Sequence, residues 1–192
     1  MEIIEKLGLN KSDFIVLSTS SLSPVKDIDL AITSFNSFLT NFRINDAYLL
    51  LVGDGKLKNQ LIELAKSYSI ENNIKFLGAI DGEQIPHYLS IADVLVATSL
   101  YSNLNLSVQE AMASGKPVIA FDSGGTSKLI KHMENGILVK PRNIEGFSDK
   151  LYLLYENLEL RENIGNNARE TIMKERNWEN IVKKVVKIYE RV

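Results

Sequence analysis

The chain has 192 residues, 45 % of them hydrophobic, and its 22 Lys plus Arg against 24 Asp plus Glu leave a formal charge of −2. That is enough apolar material for one sizeable core. The near balance of charge gives no electrostatic footprint for nucleic acid or an anionic membrane, while leaving room for a local basic pocket. With no cysteine and only two histidines, disulfide frameworks, thiolate catalysis and Cys-ligated zinc are excluded, and the histidines are too few for most His-based metal sites.

The opening stretch, "MEIIEKLGLNKSDF", is charged throughout and lacks an apolar signal core. No later run approaches the roughly 18 apolar residues of a spanning helix. A cytoplasmic setting is therefore expected, with any membrane association peripheral. "FIVLSTS" (Phe14 to Ser20) is the first predicted strand, short and apolar on successive positions, as expected of a strand covered on both faces. Ile28, Ala31, Ile32, Phe35, Phe38 and Leu39 then follow the three-four spacing of a helix face. "AYLLLVG" (Ala47 to Gly53) is the second strand, and "LKNQLIELAKSY" the helix after it. "IKFLG" (Ile74 to Gly78), "DVLVATS" (Asp93 to Ser99), "PVIAF" (Pro117 to Phe121) and "GILV" (Gly136 to Val139) complete six strands. Strand and helix alternate throughout, which predicts an α/β fold: a doubly wound parallel sheet with right-handed crossovers and a ligand crevice at the carboxyl ends of the strands.

After Pro141 only helical patterns remain: "NIEGFSDKLYLLYEN", "LELRENIGNNARETIMKER" and "WENIVKKVVKIYERV". No repeat or low-complexity linker separates them from the sheet. The expected organisation is one domain over 1–192, with a sheet core at 1–141 and a helical tail at 142–192.

The five loops at the carboxyl ends of the strands, Ser18 to Asp27, Gly53 to Lys56, Gly78 to Asp81, Thr98 to Asn105 and Asp122 to Thr126, are where a ligand is expected. "VGDGKL" has glycines after a strand and before a helix, but Lys58 stands where a dinucleotide fingerprint needs its third glycine, so a nicotinamide site is not expected. Gly53 and Gly55 let the backbone turn tightly. In "LYSNLNLSVQEAMASGKPVIA" a polar loop runs into a small-residue helix carrying one acid, Glu110. Asn103 or Asn105 would cap that helix and leave the Leu106 and Ser107 amides aimed outward, an arrangement suited to a diphosphate. The bland reading of Glu110 is a charge complementing the positive end of the helix, worth about 0.3–1 kcal/mol. "DSGGT", Asp122 to Thr126, is equally an ordinary turn or a crevice wall. His87 and His132 stand apart without a partnered acid and read as surface or packing residues.

In sequence order, "VGDGKLKNQLIELAKSYSIENNIKFLGAIDGEQIPHYLSIADVLVATS", "NLNLSVQEAMASGKPVIAFDSGGTSKLI" and "ENGILVKP" resemble the donor-binding C-terminal half of a GT-B glycosyltransferase of the retaining family 4, also called glycosyl transferases group 1. The resemblance covers nearly the whole chain and implies a Rossmann-like domain that binds a nucleoside diphosphate sugar as donor substrate. No separate cofactor and no metal is implied. Glu110 would accept hydrogen bonds from the ribose hydroxyls, Lys26 of "SSLSPVKD" would hold the pyrophosphate, and the turn at Gly53 and Gly55 would line the nucleotide pocket. Leu77, Gly78 and Ala79 would meet the base through main-chain groups.

Two positions depart from the family pattern. Ser21 stands where an arginine is expected, and Ser102 where a second acid contacts the transferred sugar. A serine offers neither a guanidinium fork nor a charge. The resemblance further implies that an acceptor-binding N-terminal domain is missing from this chain, that a glycan or lipid-linked acceptor reaches the site through that domain, and that the isolated chain is inactive. The resembled activity is sugar transfer to an acceptor hydroxyl in polysaccharide, glycolipid or other glycan synthesis. A non-catalytic binding or assembly module is the alternative. A sugar-nucleotide epimerase is disfavoured by "EAMASGKPVIAF".

Overall fold

The computed structural model describes residues 2–101, 105–176, 182 and 186–190. Six strands, β1 (Phe14–Thr19), β2 (Ala47–Val52), β3 (Ile74–Gly78), β4 (Val94–Ala97), β5 (Val118–Phe121) and β6 (Ile137–Val139), form one sheet in the order β3-β2-β1-β4-β5-β6. Every neighbouring pair is parallel. All six predicted strands are present, most with ends trimmed by a residue or two. The order reverses between β1 and β4, so the loops after these two strands diverge and open the crevice that such a sheet uses for ligands.

Both faces of the sheet are covered, which is why the strands read as continuous apolar runs. Phe14, Val16, Leu49, Leu51, Val94, Val96, Ile119 and Phe121 face one layer, packed with α2 (Ile28–Phe42), α3 (Lys58–Ser67) and α7 (Ile144–Glu156). Ile15, Leu17, Leu50, Val52, Leu95, Val118 and Ala120 face the other, packed with α4 (Ile85–Ile91) and α5 (Leu106–Ala113), with α1 (Glu2–Lys6) at its margin. The two sets alternate along each strand because successive side chains point to opposite faces.

The link from β5 to β6 departs from the strand-helix-strand pattern. It holds a single helical turn, α6 (Thr126–Leu129), and then a turn through Met133 at φ 64°. At that edge His132 Nδ1 accepts from the Leu138 amide at 3.1 Å, so the histidine fastens the outermost strand.

The helices after residue 141 belong to the same core. Phe147, Leu151 and Leu154 of α7 are fully buried, and Phe147 meets Phe121 edge-on at 5.3 Å. The last helix, α8 (Leu158–Glu175), gives Ile164 to one layer and Ala168 and Ile172 to the other; its first turn packs at the end of the sheet away from the crevice, and Arg176 just past its end shares a small cleft with Asn105. The third predicted tail helix, "WENIVKKVVKIYERV", falls largely outside the described residues.

Asp93 fastens the end of the sheet away from the crevice. Its Oδ2 accepts from the Ile15 amide at 2.8 Å and its Oδ1 pairs with Arg161 of α8 at 3.4 Å, while the guanidinium lies 5.3 Å over the Phe14 ring. Removing the carboxylate leaves the Ile15 amide without its acceptor and the Arg161 guanidinium with the Leu154 carbonyl, 3.0 Å away, as its remaining one. Asp93→Ala is therefore expected to cost about 1–3 kcal/mol in a urea titration; a change below about 0.5 kcal/mol would place the tether among the weak surface pairs.

Candidate functional site

The crevice lies at the carboxyl ends of β1, β2 and β4. Its wider compartment, about 360 Å³, is lined by Thr19, Ser20 and Ser21 from β1 and the loop after it, Val52, Gly53 and Asp54 from β2, and Ala79, Ile80 and Ile85 beyond β3. Ser107 and Glu110 of α5 complete the wall. Ser107, Thr19 and Ser20 also line a tight cleft of about 20 Å³ that runs on to Lys26, Thr98, Ser99 and Asn105. Thr19, Ser20 and Ser107 thus form a wall common to both, with Glu110 and Ser21 on the wide compartment and Lys26 and Asn105 on the tight cleft.

The loops that form these walls are stapled backbone to backbone. Ser20 N donates to Val52 O at 2.9 Å, Leu22 N to Asp54 O at 3.0 Å, and Leu57 N to Leu22 O at 3.1 Å. This is where the two glycines of "VGDG" are needed. A Cβ on Gly53 would lie 2.0 Å from Ser20 O, and one on Gly55 2.3 Å from Leu22 O. Gly53 also holds φ +138°, a conformation side chains rarely adopt. The glycines therefore serve first to bring two loops together, and the crevice wall is the product. Gly53 N is spent on Gly78 O at 2.7 Å, so the Gly78 carbonyl is occupied by the protein itself.

At the start of α5 the capping residue is Asn105, yet its side chain makes no cap hydrogen bond. Asn143 and Asn157, at the starts of α7 and α8, each accept a first-turn amide at 2.9 Å. Among the described residues no side chain caps the first amides of α5, and the helix start, with its partial positive charge, borders the tight cleft through Asn105 and Ser107. Ser107 Oγ donates to Thr19 O, tying the helix start to β1. Thr19 Oγ1, buried beside it, has no hydrogen-bond partner among the described residues.

Glu110 is the fifth residue of α5, one turn beyond the helix start, and the first turn holds no acidic residue. That position removes the dipole-complement reading, which needs a first-turn acid. The carboxylate makes no hydrogen bond or ion pair among the described residues, and partial desolvation raises its pKa above the ordinary 4.5. Glu110 is exposed to solvent and only partly desolvated, and a carboxylate on a crevice wall with no partner among the described residues is an acceptor that a ligand's donors can reach.

Lys26 closes a short 3-10 turn, Pro24–Lys26, and lines the tight cleft. Ser21 is exposed on the wide compartment, with Oγ 3.1 Å from Ser23 Oγ. Leu106 stands exposed at the helix start, together with Val25 and Tyr101 at the mouth of the crevice. Leu77 and Gly78, expected from the sequence to meet the base, line neither compartment; the next residues, Ala79 and Ile80, take that place on the wall. Ser102, named from the sequence as the sugar-contact position, lies outside the described residues, as does Asn103.

The sequence places Thr19, Ser20, Asp54, Thr98 and Ser99 within the loops at the strand ends but assigns none of them a role. A signal for four of them was present: both central strands end in Thr-Ser, Thr19-Ser20 and Thr98-Ser99, so hydroxyls cluster where the chain order reverses. Asp54 is held below the usual aspartate pKa by the Gly55 amide, 2.7 Å away, and by Lys58. It is a loop-shaping residue. A larger cavity, about 450 Å³, lies between α1 and α4, lined by Ile3, Lys6, His87 and Tyr88 among others. It is remote from the strand ends, and among the described residues it contains no carboxylate.

The sequence pattern of the family glycosyl transferases group 1 matches residues 1–171. The chain belongs to this family. The N-acetyl-alpha-D-glucosaminyl L-malate synthase of Bacillus anthracis is 30 % identical over 188 residues, covering 98 % of this chain and 48 % of the synthase. Staphylococcus aureus TarM, crystallised with UDP, Fondaparinux and alpha-GlcNAc-glycerol, superposes with a TM-score of 0.86 at 30 % identity over 93 % of this chain and 36 % of TarM. The separately crystallised C-terminal domain of a group 1 glycosyl transferase from Francisella tularensis superposes with a TM-score of 0.78 at 25 % identity, covering 86 % of this chain and 87 % of that domain. The group 1 chain described here therefore corresponds to the C-terminal portion of a GT-B glycosyltransferase. It spans about half the length of the synthase and 36 % of TarM. No described helix is long and apolar enough to cross a membrane.

Proposed function

We propose that this chain is the donor half of a retaining glycosyltransferase, binding a UDP-sugar whose glycosyl group passes to an acceptor hydroxyl in polysaccharide, glycolipid or other glycan synthesis. The observation that carries this reading is the pair of adjoining compartments, sharing the Thr19–Ser20 and Ser107 wall, that bring Glu110, the start of α5 and Lys26 to one set of strand ends. The ribose hydroxyls donate to Glu110. The diphosphate lies along the cleft between the α5 amides and Lys26, and the base rests against Ala79, Ile80 and Ile85. UDP is the nucleotide chosen because TarM was crystallised with it.

In the reaction the acceptor oxygen forms its bond to the anomeric carbon on the leaving-group side as the bond from that carbon to the diphosphate oxygen breaks. The electron pair departs with UDP, and the acceptor proton goes to the leaving phosphate. Fixed amides and a lysine ammonium stabilise the charge that develops on the diphosphate without reorganising at the moment of reaction. The acceptor, a glycan or lipid-linked hydroxyl, is held by an N-terminal half outside this chain. Val25, Tyr101 and Leu106, exposed at the crevice mouth, give that half an apolar rim to close on. The complete enzyme works in the cytoplasm, against the membrane where the acceptor is lipid-linked.

Ser21 favours a second reading, a binding module without transfer. A neutral hydroxyl paired with Ser23 supplies none of the two-pronged grip of a guanidinium. Ser21→Arg tests the placement. The side chain is exposed on the wide compartment, so an arginine there, on a stem that reaches the Thr19–Ser20 wall shared with the tight cleft, should tighten UDP binding by about 1–2 kcal/mol, an effect that shrinks with added salt. Uridine affinity should not move. Calorimetry showing no gain from Ser21→Arg and no loss from Lys26→Ala would remove the diphosphate from this loop. Transfer from a UDP-sugar by the complete protein separates enzyme from binding module.

A further inference from the structure

The turn that carries Lys26 is held from a different strand, and we infer that Thr98 and Ser99 are positioning residues that set Lys26 over the diphosphate in the tight cleft. This rests on the assignment of Lys26 to the diphosphate proposed above.

The turn has little to hold it by itself. Pro24–Lys26 buries no residue, its capping Ser23 makes no side-chain cap hydrogen bond, and Val25 stands out in solvent. The next residue, Asp27, adopts a left-handed conformation at φ 48° and ψ 43°, one that non-glycine residues enter at a cost. A lysine on such a turn would carry its ammonium through a wide volume, since both the turn and the four-carbon stem are free to move.

The fixing contacts come from the residues just past the end of β4. Thr98 Oγ1 donates to Lys26 O at 3.1 Å. Ser99 Oγ donates to Val25 O at 2.9 Å and shares that proton at longer range with Tyr101 O, 3.3 Å away. The Leu100 amide reaches Asp27 Oδ2 at 3.4 Å. Three successive residues of one chain segment thus grip three successive residues of the turn. Thr98 and Ser99 are 2 % and 9 % exposed, so each hydroxyl must find a partner within the protein.

The partners they take are distant in sequence. A buried Thr or Ser needing only local satisfaction can bond a carbonyl a few residues back along its own chain; these two instead cross to the Lys26 turn. Ser123 Oγ donates to Ser99 O at 3.0 Å, so the loop after β5 braces the same segment from the other side. Thr98 and Ser99 border the same cleft as Lys26, but their hydroxyl protons are spent on the backbone of the turn, leaving the Lys26 ammonium as the group that reaches the ligand.

The test is a double-mutant cycle read by calorimetry on the whole chain, with UDP and uridine as ligands. Thr98→Val keeps the shape and deletes the donor. It should weaken UDP about three- to tenfold, the size of one lost hydrogen bond, and leave uridine unchanged. Thr98→Ser should restore UDP affinity. In a Lys26→Met background, Thr98→Val should have no further effect, because the residue acts only through the lysine. Should Thr98→Val not fold, Ser99→Ala carries the same comparison through the Val25 carbonyl. Equal losses for UDP and uridine, an effect additive with Lys26→Met, or no effect in a folded variant would overturn the positioning role. UDP binding that ignores Lys26→Met is a different failure: it overturns the assignment of Lys26 itself and this inference with it.

Discussion

Gly53→Ala is expected to lose about 3–5 kcal/mol of folding stability, the overpacking and backbone-strain costs combined. A Cβ at this position meets the Ser20 carbonyl oxygen at 2.0 Å, and that atom is main chain at the end of the central strand, unable to swing aside as a side-chain tip would. The φ of +138° adds strain whatever space is made. Relief requires the loop after β2 to lift away from the loop after β1, breaking the Ser20–Val52 and Leu22–Asp54 hydrogen bonds. A domain of this size has only about 5–15 kcal/mol to lose. Gly78→Ala is the control: its φ is +73°, but the nearest atom to a new Cβ is Asp54 Oδ2 at 4.0 Å, so the cost should be near the strain alone, about 1–3 kcal/mol. Urea unfolding followed by circular dichroism measures both. Equal losses at the two positions would mean that the loop contact is soft and that the crevice is not held open by it.

Glu110→Ala is expected to weaken UDP binding by about 1.5–3 kcal/mol, the range for hydrogen bonds to a charged group. The side chain is unpartnered among the described residues and already partly desolvated, so its carboxylate loses few protein contacts when a ligand's hydroxyls arrive. The pH dependence follows with a definite sign. Burial raises the Glu110 pKa above 4.5, and the ribose hydroxyls need the carboxylate. UDP affinity should therefore be full near neutral pH and fall as the pH drops through the raised pKa, starting above the ordinary glutamate range. Glu110→Gln should be weaker at neutral pH and lack that fall. In the unliganded protein the sign reverses: a carboxyl whose pKa is raised by folding destabilises the native state above the unfolded pKa, so Glu110→Gln should stabilise it slightly there. Binding by Glu110→Ala equal to the parent would return the residue to a solvated surface role.

Much of this was open to reading in the sequence for a physical reason. Strands buried on both faces must be apolar on successive positions, so "AYLLLVG" and "DVLVATS" announced a parallel sheet, and that sheet dictates where its crevice lies. Glu110 was noticed because it is an isolated acid among small residues. What could not be read was anything set by contacts distant in sequence. An asparagine before a helix reads as a cap, and only the structure distinguishes Asn105, which leaves its helix uncapped, from Asn143 and Asn157, which close theirs. Gly53 and Gly55 read as a turn beneath a ligand, whereas their tightest constraint is the backbone of residues 20–22. Thr98 and Ser99 looked like a strand's polar end because their partners lie more than 70 positions earlier in the chain.

An amide NMR titration of the full chain with UDP tests the donor site most directly. The proposed placement predicts shifts that saturate together at Ser20, Ser21, Gly53, Lys26, Ser107 and Glu110, with uridine reproducing those at Gly53 and Glu110 but not those at Lys26 and Ser107. Shifts confined to the cavity between α1 and α4, at Lys6, His87 and Tyr88, or none at the strand ends at saturating UDP, would contradict it.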